Sequence, residues 1–235
     1  MKASAFSLAL LLGLSLSAYG DFTIVQKVEG KETKGKRKTN EIILKVKDDK
    51  IRLEATPQMT MIVDSRTGDI ITLMNAQKKI VRISGDKAKA IAELATKYSG
   101  TTSEKTKLIA TGKKMTISGY EAEEYAAESK AFKARYWIAP DFPNSAAIMK
   151  QLQAIIPAAW NDLAKGMIDY RDLPGFPLRT EVTVEDGDII STLVSIKTEP
   201  LSDAEFLPPK DFTEMKLPNI KISGDSPEPK PSAKP

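Results

Sequence analysis

The sequence of 235 residues carries 35 Lys and Arg residues against 31 Asp and Glu residues, a formal net charge of +4, and it contains neither Cys nor His. The absence of Cys excludes disulfides and thiolate metal sites, and the absence of His removes the commonest general base and metal ligand. Ser-His-Asp and Cys-His catalysis are therefore excluded. We predict no catalytic residues, no metal ion and no cofactor.

The first twenty residues have the pattern of a secretory signal peptide. Lys2 precedes an apolar run over residues 3–16, and the small residues Ala18 and Gly20 stand at positions −3 and −1 of a cleavage site before Asp21. The run is too short to span a bilayer as a helix, and a buried core helix is the alternative interpretation. No Cys follows the leader to carry a lipid. We therefore predict a periplasmic or secreted mature protein.

Between residues 22 and 83, apolar and polar residues alternate as they do in antiparallel strands. The apolar positions of the first two strands are Phe22, Ile24, Val28, Ile42, Leu44 and Val46. Strands at 59–63 and 70–74 flank residues 65–69, where Gly68 suits the positive φ of a hairpin loop.

A first helix is predicted over about residues 88–98, with Gly100 as its stop. Two short strands follow at 107–110 and 115–117, split by 111–113, and then a hairpin of 120–126 with 131–139. This part of the chain again indicates an antiparallel sheet.

A second helix is predicted over residues 145–165, where apolar residues form a wide stripe. The stripe consists of Ile148, Leu152, Ile155, Ile156, Ala159, Trp160, Leu163 and Met167. Pro157 predicts a kink within it. Two long strands follow at 177–185 and 188–197, and the Pro- and Lys-rich residues 218–235 are predicted to be a disordered tail.

These elements predict an α+β fold in a single domain over residues 21–217. Its core is a curved antiparallel sheet, a half-open β-barrel of about 10–11 strands. Two helices are expected to cover the concave face, because an apolar stripe as wide as that of residues 145–165 is costly to expose.

Two sets of acidic residues are candidates for chemical sites. Glu121 and Glu123 are expected on a solvated strand face rather than in acid–base catalysis. Asp64 and Asp69 flank a hairpin loop, and Asp is favoured in turns, so a turn is expected there rather than a cation site.

Four segments resemble a family of exported bacterial proteins of unknown function. They are SGYEAEEY at 118–125, YWIAP at 136–140, PGFPL at 174–178 and LSDAEFLPPKDF at 201–212. That family is similar to the periplasmic lipoprotein carriers and receptors LolA and LolB, and the resemblance covers roughly residues 21–217.

The resemblance implies a half-barrel whose concave face, covered by helices, takes acyl chains. The expected function is then non-catalytic: to carry or sequester an apolar small molecule, a lipid, an acyl chain or a lipoprotein. An envelope protein-interaction or sensor module is the alternative. The candidate ligand-binding residues are Ile24, Leu44, Leu53, Met61, Leu73, Tyr136, Ile138, Leu152, Ile156 and Trp160.

Residues 31–38 concentrate five positive charges and one negative charge, while the rest of the chain is nearly balanced. This distribution argues against a nucleic-acid partner, which requires a broad basic face. A solvated hairpin tip is the simplest interpretation. The alternative is contact with an anionic membrane surface or an acidic envelope protein through Lys34, Lys36, Arg37 and Lys38.

Overall fold

A computed structural model of the chain describes residues 20–31, 37–99, 106–129, 132–155, 168, 172–184 and 187–215. These described residues form twelve strands: β1 (Phe22–Lys31), β2 (Arg37–Lys47), β3 (Lys50–Thr56), β4 (Met59–Asp64), β5 (Ile70–Met74), β6 (Lys79–Ile83), β7 (Ile109–Ile117), β8 (Tyr120–Glu128), β9 (Lys133–Ala139), β10 (Phe176–Val184), β11 (Gly187–Thr198) and β12 (Thr213–Glu214). The α-helices are α1 (Gly85–Ser99) and α2 (Ser145–Ile155), and short 3₁₀ helices lie at Asn75–Gln77 and Asp203–Phe206.

All twelve strands form one sheet, in the order β12-β6-β5-β4-β3-β2-β1-β11-β10-β9-β8-β7. Each neighbouring pair is antiparallel except β12 with β6, which is parallel. The pairing of β1 with β11 joins the strands β1–β6 to the strands β7–β11 in one sheet. Within the described residues β7 and β12 are the terminal strands and do not pair with each other, so the sheet is open rather than a closed barrel.

The cross-strand pairs place alternate side chains on two faces, and we call the face that carries α1 and α2 the inner face. Its first row pairs Phe22 with Val46 and Val46 with Ile51, and it continues through Val63, Ile70 and Ile83. This row lies under the helices. Phe22 and Val46 are buried in one cluster with α2, and Val63 and Ile70 are buried against Ala88 of α1.

The opposite face of β2–β6 is covered by the C-terminal strap, residues 201–214 of the chain. Leu201 and Phe206 are buried in a cluster with Ile62, Leu73 and Ile80. The 3₁₀ helix of the strap has a capping box, in which the Ser202 hydroxyl accepts from the backbone of the first turn and Glu205 accepts from the Ser202 backbone N–H.

The fold class predicted from the sequence is confirmed: a large, open, curved and mostly antiparallel sheet with two helices. The hairpin loop at 65–69 also follows the prediction, since Gly68 has a φ of 76°. The Asp64 carboxylate there accepts from the backbone N–H groups of Arg66 and Thr67.

Two details of the strand prediction were wrong. The segments expected at 107–110 and 115–117 form one strand, β7, which continues through a register shift that contains Gly112 at a φ of 77°. The short strand β12 was not predicted, because two residues carry no alternation. The predicted leader, apart from Gly20, the predicted tail and the part of the second helix beyond residue 155 lie outside the described residues and stay predictions.

Candidate ligand-binding face

The second row of the inner face brings four predicted ligand-binding residues together. Ile24 of β1 pairs with Leu44 of β2, Leu44 pairs with Leu53 of β3, and Leu53 pairs with Met61 of β4. Thr72 of β5 follows Met61 in the same row. Adjacent strands lie about 4.8 Å apart, so the four apolar side chains span about 14 Å across the sheet. We call Ile24, Leu44, Leu53 and Met61 the apolar row.

The apolar row becomes more accessible with distance from α2. Ile24 is buried, whereas Leu44, Leu53 and Met61 are half-buried. In the next row Met59 pairs with Met74 and retains 38% exposure. Since the row beside the helices is largely buried, the apolar row marks where the inner face begins to open.

Helix α2 lies at the β1 end of the apolar row. Its Ile148 and Met149 belong to the buried cluster that contains Ile24, and Leu152 and Leu44 pack against that cluster. The structure therefore brings Leu152 together with the start of the row, as expected of a helix covering this face.

Tyr136 and Ile138 belong to a neighbouring buried cluster on β8–β10. They pack with Ala127 and Ala134, and the half-buried Val182 lies against them. Their cluster is distinct from the one that holds Ile24, so they line a second apolar region further along the sheet.

Leu73 lies away from the other predicted binding residues. It pairs with Thr60 and Ile80 and packs under the strap at 1% exposure, on the face opposite the apolar row. Its alternation with Thr72 places it there, because successive strand residues point to opposite faces.

Several other predicted residues fall wholly or partly outside the described structure. Ile156, Trp160, Lys34 and Lys36 lie outside the described residues. β1 and β2 form the expected hairpin, in which Gly30 pairs with Lys38, and the Lys38 side chain is exposed. Arg37 begins β2, and only its backbone is described.

Among the described residues, Glu124 and Gln151 are buried polar residues whose burial the sequence analysis did not predict. Glu124 of β8 is 3% exposed, and it lies 3.6 Å from the Lys113 Nζ and 3.8 Å from the Arg135 Nε. Gln151 of α2 is 6% exposed. Its spacing of three residues from Ile148 was the available signal, since that spacing puts a polar side chain on the apolar helix face.

The Tyr125 hydroxyl, which lies beside the Tyr136 cluster, has a perturbed pKa. Burial raises the pKa of the Tyr125 hydroxyl, and the neighbouring Glu123 carboxylate, which accepts from it at 3.4 Å, raises the pKa further. Tyr125 packs against the Tyr136 cluster, so it stays neutral and serves as a donor.

A separate cavity of about 370 Å³ lies beside the strap, at the end of β4–β6 next to the 65–69 loop. Its lining residues are Lys50, Ile62, Asp64, Asp69, Ile70, Ile71, Arg82, Ile83, Ser84, Phe206 and Leu207. Both acidic groups in it already serve local turns: Asp64 accepts from Arg66 and Thr67, and Asp69 accepts from the backbone N–H of Gly85. Within the described residues, no group of three acidic side chains lies close enough to hold a metal ion.

The sequence matches the model of a protein family over residues 28–212, a family described as a domain of unknown function, DUF4412. The chain belongs to this family. The match includes all four segments on which the resemblance was based, so the prediction of a family of unknown function is confirmed.

Solved structures that align with this DUF4412 chain have low sequence identity to it. PNGF-II is 17% identical with a TM-score of 0.40, covering 83% of this chain and 31% of its own. The LolA superfamily protein NE2245 from Nitrosomonas europaea is 8% identical with a TM-score of 0.34, over 80% of this chain and 90% of its own. Lipoprotein LppX from Mycobacterium tuberculosis is 15% identical with a TM-score of 0.38, over 77% and 88%.

The DUF4412 chain thus spans about a third of the length of the PNGF-II structures. A search of curated proteins found no match to the sequence. Among the described helices, none combines the length and apolar character needed to cross a membrane.

Proposed function

We propose that this protein is a non-catalytic exported binding protein that carries or sequesters an apolar ligand on the inner face of its sheet. The observation that supports this function is the apolar row, in which three half-buried side chains, Leu44, Leu53 and Met61, continue the buried Ile24 across four strands. The ligand class is an acyl chain, as part of a lipid or a lipoprotein. The proposed domain is residues 21–217, released into the periplasm or medium after removal of residues 1–20.

Burial of an acyl chain supplies the driving force for this function. Each methylene group transferred from water contributes about 0.8 kcal/mol, and covering the half-buried side chains of the row adds about 25 cal/mol for each Å² removed from water. Met61 and Met59 suit this surface because the unbranched thioether adapts to ligands of different shape. A row that runs across strands also gives a linear chain continuous contact.

The ligand is tested first by identifying what the protein carries. The chain is expressed with its leader, purified from the periplasm without detergent, extracted with organic solvent and examined by mass spectrometry. We expect an acyl-containing molecule in an amount comparable with the protein. A protein that is lipid-free and also fails to bind an added acyl chain would contradict the proposal.

The location of the ligand is tested with two neighbouring residues of β2. Leu44 lies on the inner face, whereas Ile43 pairs with Glu54 on the opposite face, and both side chains are half-buried. We expect Leu44→Gln to weaken binding of a fluorescent fatty acid about tenfold, because it puts an amide into the apolar contact. The same substitution at Ile43 should leave the Kd unchanged. Equal losses in the two variants would place the ligand elsewhere.

A protein-interaction module is the second candidate, and the terminal strand β7 favours it. Ile109 and Met115 on that strand are 64% and 41% exposed, and within the described residues β8 is its one strand partner. Exposed apolar residues at a free edge are suited to a partner chain. Loss of a co-purifying envelope protein in an Ile109→Lys variant, with acyl binding absent throughout, would favour this candidate.

A further inference from the structure

One buried donor on α2 lacks an acceptor. In the described part of the chain, the Gln151 Nε2 is a buried side-chain atom with no hydrogen-bond partner, and the residue as a whole is 6% exposed. A buried polar group without a partner loses its hydration and gains nothing in return. Such a group in a folded protein therefore points to an acceptor that binds there.

The position of Gln151 connects this donor to the apolar row. Residues three and four apart share a helix face, so Gln151 lies on the face of Ile148, which is buried in the same cluster as Ile24. Leu152 follows Gln151, and both Leu152 and Leu44 pack against that cluster. The unpaired amide therefore lies on the buried face of α2, which packs against the apolar cluster at the β1 end of the row.

The chemistry of the donor restricts the acceptor. A neutral amide N–H in apolar surroundings matches a neutral oxygen, whereas a carboxylate placed there would lose its hydration without an opposite charge. A plain hydrocarbon leaves the donor unpaired. A carbonyl oxygen of an ester or amide satisfies the donor at low desolvation cost.

We infer that the Gln151 Nε2 donates a hydrogen bond to the carbonyl oxygen of an ester- or amide-linked acyl chain whose hydrocarbon part lies along the apolar row. This inference rests on the proposed function and adds the linkage that the site selects. The protein then prefers esterified or amidated acyl chains, as found in phospholipids and lipoproteins, over free fatty acids and hydrocarbons.

Three probes of matched chain length test the inference: methyl decanoate, decanoate at alkaline pH, and decene. The Kd of each is measured on the purified mature chain and on Gln151→Met, which keeps the side-chain length and removes the donor. We expect the parent to prefer the ester over the hydrocarbon about three- to tenfold, as one neutral hydrogen bond supplies. The variant should lose that preference. Gln153→Met, at a half-buried position two residues further along α2, is the control and should retain it.

The unliganded proteins give a second measurement. Replacing an unpaired buried amide by an apolar side chain of similar shape removes a desolvation cost, so Gln151→Met should melt no lower than the parent. The side-chain NH₂ signals of Gln151 in ¹⁵N-labelled protein, identified by their absence from Gln151→Met, should move on addition of the ester and not of the hydrocarbon.

The outcomes separate this inference from the proposed function. If ester and hydrocarbon bind equally to the parent and to Gln151→Met, the acyl-binding function stands and the role of Gln151 is refuted. A marked drop in Tm of unliganded Gln151→Met would show that the amide already has a partner, and would overturn the inference. If none of the three probes binds, the proposed function fails and the inference fails with it.

Discussion

At the scale of single residues, Gly175 shows how a close backbone approach determines a residue type. It lies one residue before β10, where the chain passes the end of β9. A Cβ atom on Gly175 would lie 2.4 Å from the Ala139 carbonyl oxygen and 2.7 Å from the Pro140 Cα. Both contacts are with backbone, which cannot rotate away. The close approach at this strand entry therefore explains the glycine of the PGFPL segment.

Gly175→Ala should destabilise the protein by about 1–3 kcal/mol, the usual cost of overpacking, because β9 and β10 would have to move apart. Gly30→Ala is the control, since a Cβ at Gly30 meets nothing within 4 Å and no positive φ is required there. Chemical denaturation of the two variants and the parent measures the difference. Equal unfolding free energies for Gly175→Ala and the parent would contradict this reading of the contact.

At the scale of elements, the C-terminal strap is held to the sheet by charged contacts as well as by its apolar cluster. The Lys45 ammonium donates to the Glu205 carboxylate, and the Arg52 guanidinium donates to the Glu205 backbone carbonyl at 2.8 Å. The Lys47 Nζ lies 2.9 Å from the Asp203 carboxylate. The hydrogen bond from Lys45 lowers the pKa of Glu205, and the one from Lys47 lowers the pKa of Asp203.

These lowered pKa values predict a dependence of stability on pH. A carboxyl group whose pKa is lower in the folded state stabilises the fold above its unfolded-state pKa, about 4.3 for Glu, and loses that contribution as pH falls through the folded-state pKa. Glu205→Gln should therefore have a lower Tm than the parent at neutral pH. Its free energy of unfolding should be lower by about 1 kcal/mol or less, because the side chains of Lys45 and Glu205 are both partly exposed. The difference should shrink as the pH falls below about 4.3 and disappear once the Glu205 carboxylate of the folded parent is protonated.

In Glu205→Gln the side-chain amide oxygen can still accept from the Ser202 backbone N–H in the capping box. The substitution therefore removes the charge of the side chain and keeps the cap. The exposed Glu199, which precedes the strap, serves as the control for Glu→Gln. Melting temperatures of all three proteins across the acid range provide the measurement. A pH-independent gap between Glu205→Gln and the parent would exclude the ion pair as the cause.

The elements also show which parts of the fold could be predicted from the sequence. β1 and β2 alternate clearly, because one face of each is apolar and the other is polar, and Ile24 and Leu44 were placed correctly on one face. In β4 and β5 both faces are buried, Val63 under α1 and Ile62 under the strap. Alternation disappears in such strands. The sequence alone therefore could not show on which face Leu73 lies. That face is covered by the strap, and the contact between strap and sheet is a tertiary contact that local sequence patterns do not encode.

The candidate site was predictable in its apolar part only. The alternation of apolar residues indicates which side chains of one strand share a face, and four of the ten candidate residues, Ile24, Leu44, Leu53 and Met61, lie in one row of the sheet. The missing acceptor of Gln151 could not be predicted, because hydrogen-bond satisfaction depends on the three-dimensional neighbours of the amide.

At the scale of the whole molecule, the β1–β2 hairpin connects the apolar row with the basic segment, residues 31–38 of the chain. Ile24 and Leu44 pair in the lower part of that hairpin, and Lys31 pairs with Arg37 at its far end. The exposed Lys38 lies next to this end. An anionic membrane surface that attracts the basic segment would therefore hold the molecule by the same two strands that carry the start of the apolar row.

We predict that Lys34, Lys36, Arg37 and Lys38 anchor the protein to anionic membranes. Each Lys or Arg near such a surface contributes about 1 kcal/mol, and the attraction decays within a Debye length of about 10 Å at 0.1 M salt. Changing the four residues to Ser should weaken binding to phosphatidylglycerol-containing vesicles, most strongly at low salt. The Tm should change little, because charged residues at a hairpin end make few packing contacts.

The control for this prediction changes four exposed lysines elsewhere, Lys89, Lys107, Lys197 and Lys210, to Ser. Both quadruple variants have a formal net charge of zero, four below the +4 of the parent, so a difference between them reports the position of the charges and not their number. Co-sedimentation with anionic and with neutral vesicles over a range of salt concentrations supplies the comparison. Equal vesicle binding by the two variants would leave residues 31–38 as a solvated hairpin end with no role in membrane contact.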